Sequence, residues 1–203
     1  ERSAHIALNA VEKARSIIGG RLDTRISTCH LELIHEDDIS RFRELDVPAN
    51  FTLHWNGFGY LTGWKKPIGA ERAARRFSIQ ALIDDGATVS YSSDTTGMTR
   101  LYRTSPFFSM QIGHNRQEVG AAPSSEILSP ISERLALEDI VNGYTQGGAY
   151  QLRYEDSLGS IEVGKEADLV VLDQNIFDVS RYDISKTTPT AVLIAGEVIQ
   201  GKL

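Results

Sequence analysis

The sequence predicts an α/β fold: a parallel sheet with covering helices, followed by an all-β tail. Three observations predict it. Between residues 23 and 94, short β-branched runs alternate three times with longer amphipathic runs, the pattern of a parallel sheet under helices. Each short run ends on a polar tip, at His30, His54 and Asp94, and in such sheets chemistry collects at the C-terminal strand ends. From Asp156 onward the chain turns to short strands framed by glycine pairs.

Taken in order, Ala7, Val11, Ala14 and Ile18 recur at helical spacing and predict one face of a first helix, stopped by Gly19-Gly20. Asp23 to Cys29, "DTRISTC", predicts a strand, with His30 at its C-terminal end. His35 to Leu45 predicts a helix, with acidic residues at its start and Ile39, Phe42 and Leu45 on one side. Ala49 to Trp55 predicts a second strand ending on His54-Trp55. The Gly- and aromatic-rich "NGFGYLTGWKKPIG" reads as a mobile cover. Ala70 to Gly86 predicts one helix, and Ala87 to Asp94 a third strand. Helical stretches follow in "PFFSMQIGHNRQEVG" and "ISERLALEDIVNGYTQGGAYQL". In the tail, "GSIEVGK" and "ADLVVLD" predict short strands, and "TAVLIAGEVIQGK" a hairpin turning at Ala-Gly.

The composition bounds the function. The 203 residues are 41% hydrophobic and 24% charged, with a net charge of -6. An acidic chain lacks the basic excess that a phosphate-binding surface needs, so nucleic acid is not an expected partner. No apolar run approaches the ~20 residues that cross a bilayer, so no membrane partner is expected. No signal peptide is read at the start, and the single cysteine fits a reducing, cytoplasmic location. The first helix begins almost at once, as if the chain opened within a larger domain.

Read from residues alone, His30 is either a strand-end histidine bonded to backbone or a metal ligand, and Asp94 either caps the following turn or works in a site. His54 and Trp55 divide evenly between core and pocket wall. Cys29, next to His30 on a strand, points to the opposite face and is expected to pack on a helix as a small hydrophobe. His35 heads a helix and is expected to be solvated. Arg116 either holds an anionic group or makes a surface salt bridge. The glycines of "GSIEVGK" have the wrong spacing for a phosphate loop.

Longer stretches resemble one family. "LGSIEVGKEADLVVLD" resembles the C-terminal signature of the amidohydrolase superfamily of metal-dependent hydrolases, and "AVLIAGEVIQGK" the strand pair after it. "ISTCHLELIHEDDISRFREL", "ANFTLHWNG" and "VSYSSD" are similar to its sixth, seventh and eighth barrel strands in the imidazolonepropionase-like and formamide-deformylase-like branch, and "LEDIVNGYTQGGAYQL" resembles its late helix.

The resemblance implies the C-terminal part of a (β/α)8 barrel over residues 1–150, strands six to eight with their helices. It implies strands of a small flanking β-sandwich over 151–203. It makes His30 and Asp94 metal ligands and Asp94 also the catalytic proton carrier; beside it, His54, Trp55 and Arg116 are the candidate substrate contacts. The ion implied is divalent, zinc first, in the complete enzyme, and possession of none by this chain alone is the other expectation. The family's His-x-His pair is absent, and Cys29 stands where many relatives have glutamate. The expected function is hydrolysis of an amide or other C–N bond in a small molecule by metal-activated water, in a fragment inactive alone. The competing expectation is a non-catalytic remnant or scaffold that pairs through exposed sheet edges. Its partner would be a second copy or a missing N-terminal half.

Overall fold

The computed structural model describes residues 1–57, 68–95 and 97–202. Helix α1 (Arg2–Ile18) opens the chain and ends where Gly19 takes a left-handed φ of 77°. It buries Ala4, Leu8 and Val11. Only Val11 of the predicted face is among them, and Ile18 is 64% exposed. The buried stripe is an i, i+4, i+7 set shifted by about one position, because Leu8 is a larger apolar anchor than Ala7 or Ala14.

The strands are shorter than the periodicity predicts. β1 is Thr28–Cys29. Helix α2 (Ile39–Glu44) follows a 3-10 turn over Glu36–Asp38. His35 caps that turn: its exposed ring accepts from the Asp37 amide at 3.3 Å. Strand β2 is Ala49–Phe51, and the predicted continuation to Trp55 coils into a 3-10 turn over Leu53–Asn56. The predicted cover loop falls mostly at 58–67, outside the described residues. The single helix predicted over 70–86 is two, α3 (Ala70–Ala74) and α4 (Ile79–Asp85). They part at Phe77, whose backbone has φ 55° and whose amide bonds Glu32 O at 3.0 Å instead of continuing a helix. Strand β3 is Val89–Tyr91. Helix α5 (Pro106–Asn115) starts on a proline, as helix first turns allow. Helices α6 (Leu137–Asn142) and α7 (Gly148–Leu152) are joined by a π-turn over Gly143–Gly147. A Cβ on Gly147 would lie 2.0 Å from Val89 O, so only glycine lets this turn rest on β3.

The order β1-β2-β3 is parallel throughout, as predicted. Register puts Cys29, Asn50 and Ser90 in one row, and Phe51 and Tyr91 in another. By strand alternation these rows point to opposite faces. The apolar row joins a core with Phe42, Leu53, Phe77, Ile79, Leu82 and Ile140. Cys29 is exposed, not packed on a helix. It lies at the end of the edge strand of the sheet.

The tail forms a second three-stranded sheet, antiparallel, from β4 (Leu169–Leu172), β5 (Pro189–Ile194) and β6 (Glu197–Gly201). Ala195-Gly196 makes the predicted hairpin turn, both with positive φ. "GSIEVGK" is turns, not a strand. The tail docks on α5: Gln111 Oε1 accepts from the Ser185 amide at 2.8 Å, and Asn115 Nδ2 donates to Arg181 O at 2.8 Å. Among the described residues no helix is long and apolar enough to cross a membrane.

Candidate functional site

His30 extends the β1–β2 ladder by one bond: its amide donates to Asn50 O at 2.9 Å. The chain then leaves the sheet abruptly. His30 has φ 70° and Leu31 φ 49°. Left-handed backbone costs a non-glycine residue about 1–2 kcal/mol, and such outliers gather at functional sites. The imidazole is half-buried and stacks on Trp55, with centroids 4.8 Å apart and planes 15° apart. His54 meets the same indole edge-on at 6.4 Å. His30, His54 and Trp55 are therefore one aromatic cluster, gathered because the 3-10 turn after β2 folds beside the end of β1. His30 Nδ1 is enclosed and has no hydrogen-bond partner among the described residues.

Asp94 follows β3, also in left-handed backbone at φ 43°, with its side chain exposed. β2 lies between β1 and β3, so the strands that carry His30 and Asp94 run about 10 Å apart. The two residues share the C-terminal end of the sheet.

Arg116 stands elsewhere. It is fully buried, and its guanidinium donates to four backbone carbonyls: Leu128 at 2.9 Å, Ser129 at 3.1 Å, Arg76 at 3.2 Å and Glu133 at 3.5 Å. Burial lowers its pKa to about 10. It is not a surface salt bridge; it knits the segments around α5 together. Neighbouring His114 is similarly occupied. Its Nδ1 donates to Leu135 O at 2.7 Å, its Nε2 accepts from Arg181 at 3.1 Å, and burial lowers its pKa.

One polar network escaped the sequence reading. Asn50 Nδ2 donates to Ser90 Oγ at 2.9 Å and to Gln151 Oε1 at 3.2 Å, while Ser92 Oγ donates to Asn50 Oδ1 at 2.7 Å. Gln151 comes from α7, about a hundred residues further on. The available signal was the unusual Asn and Ser in otherwise apolar strands. A cleft of about 420 Å³ opens beside Ala87, Thr88, Tyr150 and Lys165, at the N-terminal end of β3 and away from the aromatic cluster.

Imidazole and carboxylate are the donor types a divalent metal takes in hydrolytic sites. Their number is short: among the described residues no three His, Cys, Asp or Glu side chains converge. The unpaired His30 Nδ1 fits a share in a metal site, and the chain as described does not complete one.

The sequence profile of the amidohydrolase family matches residues 2–200. The chain belongs to the amidohydrolase family. It is 31% identical over 181 residues to the imidazolonepropionase of Streptococcus sanguinis, covering 84% of this chain and 41% of that protein. Against the imidazolonepropionase of Bdellovibrio bacteriovorus it is 27% identical over 124 residues, 61% of this chain and 25% of the relative. The chain thus spans well under half the length of the curated relatives it matches. Among solved structures, an uncharacterized metal-dependent hydrolase from Pyrococcus furiosus aligns at a TM-score of 0.61 with 25% identity, over 82% of this chain and 30% of that one. A second, from Pyrococcus horikoshii, reaches 0.70 at 20% identity over 89% and 34%. An adenosine deaminase from Xanthomonas campestris with bound zinc reaches 0.60 at 20% identity, over 86% and 37%, a likeness of fold.

Proposed function

We propose that this chain is the C-terminal part of a metal-dependent amidohydrolase that cleaves an amide or other C–N bond in a small molecule. On this reading residues 1–150 carry strands six to eight of a (β/α)8 barrel, and 151–203 belong to a flanking sandwich. The remaining ligands come from a segment outside this chain. His30 holds a divalent ion, zinc by preference, and Asp94 shares it. The ion supplies Lewis acidity that brings the pKa of water toward neutrality. The Asp94 carboxylate takes the proton of the attacking water and returns it to the departing nitrogen. His54 and Trp55 wall the substrate side, and the indole fixes the His30 ring plane by stacking. Arg116 is left out of the substrate set because four carbonyls hold it.

The observation that carries this reading is the enclosed, unpaired Nδ1 of His30 at the end of a parallel strand. Calorimetric titration with zinc tests it. The chain alone is expected to bind weakly, because two ligands hold zinc poorly, and His30→Ala should weaken binding at least about tenfold, as lost ligand-shell contacts do. Equal binding by wild type and His30→Ala would remove His30 from the site.

A further inference from the structure

Arg76 is 4% exposed, and its Nε and Nη1 are enclosed without a hydrogen-bond partner among the described residues. Other buried charges of the chain are answered. Asp38 is held by His5 and Arg41. Glu133 accepts from the Gln80 amide at 2.6 Å. Arg116 has its four carbonyls, one of them Arg76 O. Glu133, the buried carboxylate beside Arg116, is turned to the start of α4.

Among the described residues no carboxylate forms an ion pair with Arg76. Glu1 is held by Arg72 and Arg75 at 2.8 and 3.1 Å, and Glu36 lies 3.9 Å from Arg75. Glu71 is exposed. A buried guanidinium that lacks a counter-charge is strongly unfavourable, and burial accordingly lowers the Arg76 pKa. Arginine stays charged even so.

We propose that Arg76, backed by Arg116, is an anion-binding site that takes a planar or tetrahedral oxyanion, a carboxylate or a phosphate group. A guanidinium matches such groups in two parallel bonds, from Nη2 together with Nε or Nη1, which a halide cannot accept. The Phe77 amide bonds Glu32 O at 3.0 Å, which pins the Arg76-Phe77 backbone to the loop two residues past His30. The proposal is independent of any metal there.

Thermal melts of the 203-residue chain test it, with sodium acetate or sodium phosphate exchanged for sodium chloride at fixed ionic strength. The expected result is a saturable rise in Tm of about 3–6 °C at ten times the dissociation constant. A response to acetate assigns a carboxylate, and a response to phosphate alone assigns a phosphate group. Arg76→Met should abolish the rise. Arg76→Lys keeps the charge and loses the fork, and should move the half-saturation point at least tenfold higher. Absence of a saturable rise in the wild type overturns the proposal. So does an identical half-saturation point in Arg76→Lys, or a rise that survives in Arg76→Met.

Discussion

The two sheets of this chain end in opposite environments. Every residue of β2 and β3 is buried, whereas all five residues of β6 are exposed and β4 is at best half-buried. Parallel strands have no tight turn between them. Their register is set by the helices that return the chain and by the core those helices bury. A hairpin carries its register in its own turn, so β5 and β6 pair with little burial beyond Ala191 and Leu193. The first sheet depends on the rest of the molecule, the second largely on itself.

Substitutions can break that contrast or sharpen it. Phe51→Ala in β2, at 1% exposure, should destabilise by about 3–5 kcal/mol through the cavity it leaves. Chemical denaturation measures this, and a loss as small as that of a β6 surface change would mean the two sheets are supported alike.

Asp38 comes next. Burial alone would raise its carboxyl, but hydrogen bonds from Arg41 at 2.7 Å and His5 at 2.9 Å outweigh it and hold the pKa below the ordinary 3.8. The contribution is therefore present above pH 3.8 and lost as pH falls through the depressed folded value. Asp38→Asn should cost about 1–3 kcal/mol at neutral pH, the range for a lost bond to a charged group. It should also flatten the acid limb of the stability–pH curve, and an unaltered limb would show that another carboxylate governs it.

In the hairpin, Ala195 sits at φ 50° before Gly196. Ala195→Asn suits that conformation and should stabilise by roughly 0.5–1 kcal/mol, visible as a small rise in Tm. The smallest effect is expected at Val198, 44% exposed on β6, where Val198→Thr should stay within about 0.5 kcal/mol.

Legibility followed the same division. The hairpin was readable because its turn residues and both strands lie within 13 residues. The alternation that predicts the parallel sheet was also readable, since β-branched runs and helical periodicity are local properties. Strand lengths were not: Asp23 to Ser27 and Leu53 to Trp55 carry strand-like residues but lack a neighbour to pair with or bend away into the aromatic cluster. The break in the helix over 70–86 was invisible for a related reason, since Phe77 bonds Glu32, forty-five residues earlier in the chain. At the candidate site, His30 and Asp94 were legible as polar residues just past β1 and β3. The stacking of His30 on Trp55, the burial of Arg116 and the Asn50–Ser90–Gln151 network were not.

By itself the sequence determined where strands and helices would alternate, which turn would close the hairpin, and the charge and apolar content of each segment. These follow from backbone sterics and side-chain chemistry that act within a few residues. Tertiary structure alone decided which polar groups became buried, which of those found partners, and that Arg76 did not. Burial and pairing depend on segments far apart in the chain, and no local pattern records which of them will meet.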